Sequence, residues 1–346
     1  MYHAPGLFIE LGNVETSILS SKIKNISIDK PVFIAGLARS GSTLLLEIAA
    51  ACNGVATHRN RDFPLVHIPY IWNKLVDMTP RRANAPKERP HGDRMLVTDE
   101  SPEAMEEPIW TSFFAHLHDP KVDNILGRAV SNQHFEAFYK EHIRKLLLAR
   151  NGVRYASKGN YNLARLGYLA RIFPEARFII PVRAPVAHIG SLLRQHQRFT
   201  QIHRADPRSL AAMRQGGHFE FGVDLRPINF GHDGSIHEKM LSQERSTSIE
   251  GWALYWREAH RHIHTLLESD PDIKARAMIV RFETLCQAPA ETIGQILLFA
   301  GLGDESVIQA FAPKVSAPDY YDPGFTSQEV GLIEQATADI RPMFGY

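Results

Sequence analysis

The chain has little cysteine: two residues in 346, Cys52 and Cys286. Both stand in apolar runs, EIAAAC and ETLC, which reads as two buried thiols rather than a disulfide or a metal site. A reducing compartment follows as an expectation. The chain also has no excess of charge of either sign. Thirty-nine Lys and Arg against 38 Asp and Glu leave a formal net charge of +1. That argues against a polybasic nucleic-acid or membrane binder, so any anion site must come from local clustering of Arg and Lys. No apolar run nears the roughly 18 residues of a membrane span. The start, MYHAPGLFIELGN, lacks the basic opening and long apolar stretch of a secretion signal, so a cytoplasmic protein is expected. The histidine-bearing stretches HRHIH and HGD lack zinc-ligand spacing, and no metal is expected. There is no internal repeat and no low-complexity tract.

What is present is an alternation of strand and helix signals in a chain long enough for a sizeable core. PVFIAG, GVATHR, VRYAS, ARFIIPVR and ARAMIVRFE read as strands. Helical patterns follow at about 42–52, in SPEAMEEPIWTSFFAHLH, in SNQHFEAFYKEHIRKLLLAR (stopped by Asn151-Gly152), in NLARLGYLARIF, and from Pro185 onward. In the second of these, Ser101 is the expected cap, and the acidic residues complement the helix N-terminus. SIEGWALYWREAHRHIHTLLES, PAETIGQILLFAGL and TSQEVGLIEQATADI are later helices, the last with a capping signature at Thr326 or Ser327 and Glu329. Residues 1–30 read as an N-terminal arm that could contact a partner or support a homodimer. Residues 31–346 read as one domain. Between about 200 and 245 the periodicity fails, and RQGGHFEFGVDLRPINFGHDG suggests a binding insertion.

Strands separated by helices predict an α/β fold, a central parallel sheet flanked by helices, with ligands at the carboxyl ends of the strands. Residues just past four strands should then gather along one edge: Arg39 to Thr43, Asp62, Lys158 and Arg183. The first group lies in FIAGLARSGSTLLLEIAA. Gly36, four residues, Gly41, Ser42, Thr43 is the spacing of a phosphate-binding loop, with Ser42 where the lysine belongs. Backbone N–H groups and the helix N-terminus can still hold a phosphate. Arg39 can supply charge, but the lysine-and-magnesium handling of a triphosphate loses a part. In the second group, Arg183 ends a strand, and Ala184, His188 and Ser191 share one face of the helix opened by Pro185. Arg183 and Ser191 can approach one anion.

Together these stretches resemble the sulfotransferase superfamily that uses 3′-phosphoadenosine 5′-phosphosulfate (PAPS). GLARSGSTLLLEI is similar to its 5′-phosphosulfate loop, commonly R-S-G-T-T-L-L, and ARFIIPVRAPVAHIGSLL to its 3′-phosphate motif, R-x-P-x5-S-L. FPEARFI and MIVRFETLCQAP are similar to stretches flanking them. The resemblance runs from about Pro31 to Tyr346, poorest between Thr200 and Arg245. It departs in Ser42 for Thr, and in Ala38 and Ala184 where Pro and Asp are frequent.

The resemblance implies a sulfotransferase with a fold like that of the P-loop nucleoside-triphosphate hydrolases. Arg39, Ser40, Gly41, Ser42 and Thr43 would bind the 5′-phosphosulfate, and Arg183 and Ser191 the 3′-phosphate. The product would be adenosine 3′,5′-bisphosphate, with no metal. Arg39 and Lys158 (many relatives carry K-x-P where this chain has Lys158-Gly159-Asn160) would stabilise charge on the leaving phosphate. A hydroxyl or amine acceptor needs a base. Asp62, past the second strand, is favoured because carboxylate-using relatives carry a Glu near this place; Glu103 and His67 are the other candidates. Trp252, Tyr255 or Trp256 could stack on adenine or belong to the core, and residues 218–230 could meet the acceptor, whether a small molecule, carbohydrate, lipid or peptide. Two other readings stay open: a P-loop small-molecule kinase or NTPase, and a non-catalytic nucleotide-binding protein.

Overall fold

The structure, a computed structural model, describes residues 5–79, 85–89, 92, 95–232, 234–317 and 322–346. The HGD stretch therefore lies mostly outside the described residues. Helix α1 (Pro5–Ile23) leads into β1 (Asp29–Ile34), and α2 (Ser42–Ala51) and β2 (Val55–Ala56) follow. After α3 (Pro69–Met78) comes a short antiparallel pair, β3 (Lys87–Glu88) and β4 (Leu96–Val97). Then come α4 (Glu107–Phe113), α5 (Gln133–Arg150), β5 (Arg154–Lys158), α6 (Leu166–Ile172), β6 (Arg177–Val182), α7 (Pro185–Ala205), α8 (Pro207–Gly216), α9 (Ser235–Met240), α10 (Arg245–Ser269) and, after a short helix, β7 (Ala277–Arg281). The main sheet has order β2-β5-β1-β6-β7, and every pairing in it is parallel. The five expected strands and the expected sheet are all present.

β1 is central because it is apolar on both faces. Successive residues of a strand point to opposite sides. Val32 and Ile34 pack with Leu45, Leu46 and Ile48 of α2, while Phe33 packs on the other face. There its ring lies 6.3 Å from Tyr155, 5.7 Å from Phe173 and 6.1 Å from Phe178. Each such buried side chain contributes about 1.5–3 kcal/mol relative to exposure. This fixes the carboxyl ends of β1, β5 and β6 side by side.

Helix boundaries depart from expectation in two places. Residues 101–106 are not helical, and the helix begins only at Glu107, with Pro108 in its first turn. The upstream segment runs against the loop after β2: the Glu103 N–H donates to the His58 carbonyl, and Arg59 bridges Pro102. Its acidic residues serve partners elsewhere. Glu106 accepts from the buried hydroxyls of Tyr139 and Tyr155, and Glu107 pairs with Arg165 and His118. The segment at 200–245 is partly helical, since α7 runs to Ala205 and α8 and α9 follow; among the described residues the irregular stretches are 217–232 and 241–244. α1 is anchored to α5 by a fully buried ion pair, Glu15 to Lys145 at 3.0 Å.

Candidate functional site

The loop after β1 is shaped by two close approaches. A Cβ on Gly36 would lie 2.7 Å from Pro181 Cγ, and one on Gly41 2.8 Å from the Phe282 ring, so neither position has room for a side chain. Gly41 caps α2 with φ 98°, in the left-handed region that glycine tolerates without penalty. Arg39 also has positive φ, 71°. For a residue with a Cβ this costs about 1–2 kcal/mol, and such strain collects at working loops. The twist lets the Arg39 carbonyl accept from Arg183 Nη1 at 3.3 Å while its own Nε donates to Ser191 Oγ at 3.3 Å. Arg183 also stands over the Phe282 ring, 5.0 Å from its centroid. Phe282 thus packs under both halves of the site.

The α7 end is built to match. His188 is buried and hydrogen-bonds the Ala38 carbonyl at 2.8 Å, so the face carrying His188 and Ser191 abuts the loop. Ala184 has no side chain to cap α7. Glu283 stands in from outside, accepting the Ala184 N–H at 3.0 Å and held in turn by the Tyr346 hydroxyl at 2.6 Å.

Beside the loop, Lys158 Nζ donates to Thr43 Oγ1 at 3.1 Å and pairs with Glu103 Oε1 at 3.3 Å. Arg89, from the short hairpin, reaches the same Thr43 hydroxyl at 3.3 Å. These side chains line a cleft of about 260 Å³ that also exposes Arg39, Ser42, His218 and Glu220. Met105, Phe199, Met213 and Phe221 form its apolar side. Larger cavities exist, one of about 490 Å³ beside Arg214 and Gly217, but it lacks the loop and its cations.

Burial pushes the Glu103 carboxyl up, but Lys158, the Ala104 N–H, His218 and Arg89 outweigh it and hold it at about 2. Glu103 is therefore a firmly ionised partner of Lys158 rather than a helix-terminus charge.

The structure brings Arg39, Gly41, Ser42, Thr43 and Lys158 together, with Arg183 and Ser191 joined through Arg39. Ser40 is present only as backbone: its hydroxyl is buried beneath Gly36, and its N–H is held by the Leu37 carbonyl. Asp62 is not brought to the cleft. Its side chain is fully buried and accepts from His58 Nδ1 (2.9 Å), the Arg59 N–H (2.9 Å), Asn73 Nδ2 (2.8 Å) and Arg150 Nη2 (2.6 Å). A carboxylate so occupied ties the β2 loop to α3 and α5 and has no lone pair facing an acceptor. His67 is likewise remote and fully buried, its Nε2 3.2 Å from Ser112 Oγ and its ring held by burial at about 4. Trp252 and Trp256 lie in the core.

Arg89 and Phe282 escaped the sequence reading, and His218 and Glu220 entered it only as part of the 218–230 stretch expected to meet the acceptor. Arg89 carries no pattern at all. His218 and Glu220 did leave a signal: they alternate with Phe219 and Phe221 in HFEF, which sets both polar groups on one side of an extended segment.

The family model for the sulfotransferase family matches residues 31–217. Among solved structures, the chain is similar to sulfotransferase STF9 from Mycobacterium avium, with TM-score 0.54 and 14% identity over 96% of this chain and 81% of that one. Sulfotransferase STF1 from Mycobacterium tuberculosis H37Rv follows with TM-score 0.49 and 15% identity over 94% and 81%. At such identity the first likeness is one of fold. No curated protein matches the chain.

Proposed function

Because the chain belongs to the sulfotransferase family, we propose that it moves a sulfuryl group from PAPS to a hydroxyl or amine acceptor by in-line displacement. The observation that carries this reading is the joining of Arg39, Arg183 and Ser191 in one hydrogen-bonded chain, with Lys158 on Thr43 of the same loop. Arg183 and Ser191 take the 3′-phosphate. The N–H groups at the start of α2, with the Ser42 and Thr43 hydroxyls, take the 5′ end. Lys158 and Arg39 face the oxygen that leaves with the phosphate, where charge accumulates during transfer. Ser42 in place of a lysine fits a donor whose terminal group is a sulfuryl carried without magnesium.

Calorimetry tests this directly. Adenosine 3′,5′-bisphosphate is expected to bind without metal and to be preferred over Mg·ATP; the opposite preference would favour a P-loop kinase and end the proposal. Arg183→Ala should weaken bisphosphate binding by about 2–3 kcal/mol, the value of a charge-assisted contact. An unchanged affinity removes Arg183 from the site.

A further inference from the structure

Resting on the sulfotransferase reading, we propose that His218 takes the proton of the acceptor and that Glu220 is the positioning residue beside its ring. His218 opens the loop after α8, and its side chain is 31% exposed in the cleft that holds Thr43 and Lys158. Its Nδ1 faces Glu220 Oε2 at 3.7 Å, which leaves Nε2 turned from the carboxylate. Glu220 is fixed by Asn160 Nδ2 at 2.8 Å. The backbone is pinned on both sides of the ring: the His218 N–H donates to the Met213 carbonyl at 2.9 Å, and the Phe219 N–H to the Tyr161 hydroxyl at 2.9 Å. Gly216 backs the imidazole so closely that a Cβ there would lie 3.0 Å from Cδ2.

Among the described residues, no other candidate in reach serves as well. Glu103 is held at about 2 and is engaged by Lys158 and the Ala104 N–H, so it has little proton affinity near neutral pH. Asp62 and His67 are walled off. The charged groups facing His218 are Glu220, Glu103 and Lys158, with Arg89 behind Glu103. Burial opposes charge on the imidazole, but Glu220 and Glu103 outweigh both burial and Lys158 and hold it above its ordinary value. A base works best when its pKa lies near the working pH.

In the step itself, the acceptor hydroxyl gives its proton to Nε2 as its oxygen bonds to sulfur. The bond from sulfur to the bridging oxygen breaks, and its electron pair stays on the 5′-phosphate, faced by Arg39 and Lys158. The exposed edge of His218 then returns the proton to water.

The test uses ³⁵S-labelled PAPS with water and 2-naphthol as acceptors, across pH, with bisphosphate calorimetry in parallel. His218→Ala and His218→Gln should lose activity on the order of 10²- to 10⁴-fold and keep bisphosphate affinity. The wild-type rate should rise with pH through the His218 titration to a plateau. Glu220→Gln removes the charge that raises that titration, so the acidic limb should move to lower pH, which a purely structural role would not produce. A His218 variant with an unchanged rate, or a limb that stays in place in Glu220→Gln, overturns the assignment alone. Wild-type protein that neither binds bisphosphate nor releases label from PAPS overturns the sulfotransferase reading and this assignment with it.

Discussion

Arg39 and Asp62 show how differently two charged residues past strands consecutive in the chain, β1 and β2, can be used. Arg39 accepts backbone strain to place its guanidinium by Ser191 and its carbonyl by Arg183. Arg39→Gly removes the strain, so its unfolding midpoint in urea should equal or slightly exceed that of the wild type, while bisphosphate affinity falls. A variant that loses stability and keeps affinity would show that the twist serves folding instead. Asp62 is a structural knot. Burial raises its carboxyl pKa, but His58, Arg150 and Asn73 outweigh burial and hold it well below the usual carboxylate range. A folded pKa below the unfolded value of about 4 means stability that is full above that pH and is lost on further acidification. Asp62→Asn leaves Arg150 buried without its counter-charge and should cost on the order of 3 kcal/mol at neutral pH. The variant's stability should also fall less than the wild type's between pH 5 and 3. Bisphosphate affinity of the folded variant should be retained, because no contact of Asp62 reaches the cleft.

At the scale of elements, the strand ends were legible, while of the loops facing them only the 200–245 stretch could be flagged, and not the roles of its residues. Gly36, Gly41 and Arg183 could be read because a strand, a glycine turn and a helix start leave a local pattern that survives without tertiary information. Asp62 misled because position past a strand says on which edge a residue lies but not whether its side chain turns outward; four partners from α3, α5 and the β2 loop decided that. Glu103 was assigned to a helix start that does not form, since pairing of residues 101–103 with the β2 loop competes with the helix. Arg89 reaches Thr43 from a hairpin 46 residues away in sequence, a distance no periodicity can bridge. Gly41→Ala tests the element that was legible. With φ at 98° and Phe282 at 2.8 Å, the added methyl should destabilise the fold by about 1–2 kcal/mol in a urea titration and weaken bisphosphate binding, because the start of α2 must shift. Unchanged values for both would mean that the loop relaxes freely.

Across the whole molecule, one sheet sets the frame and a separate span closes it. The cations Arg39, Lys158 and Arg183 depend on β1, β5 and β6, whose relative heights are locked by hydrogen-bonded register and by cores on both faces. The wall carrying Met213, His218, Glu220 and Phe221 belongs instead to residues 207–232, between α7 and α9. Replacing that span with the matching one from a relative of different acceptor preference should transfer the preference and leave bisphosphate affinity within about threefold, a free-energy change of only ~0.7 kcal/mol. A chimera that folds but loses bisphosphate binding would show that the two walls are energetically inseparable. That division has an evolutionary corollary. Under the proposed function, a lineage can retool what it sulfates by rewriting some two dozen codons while the proposed nucleotide-gripping machinery drifts hardly at all, so divergence within such a group should be patchy along the gene.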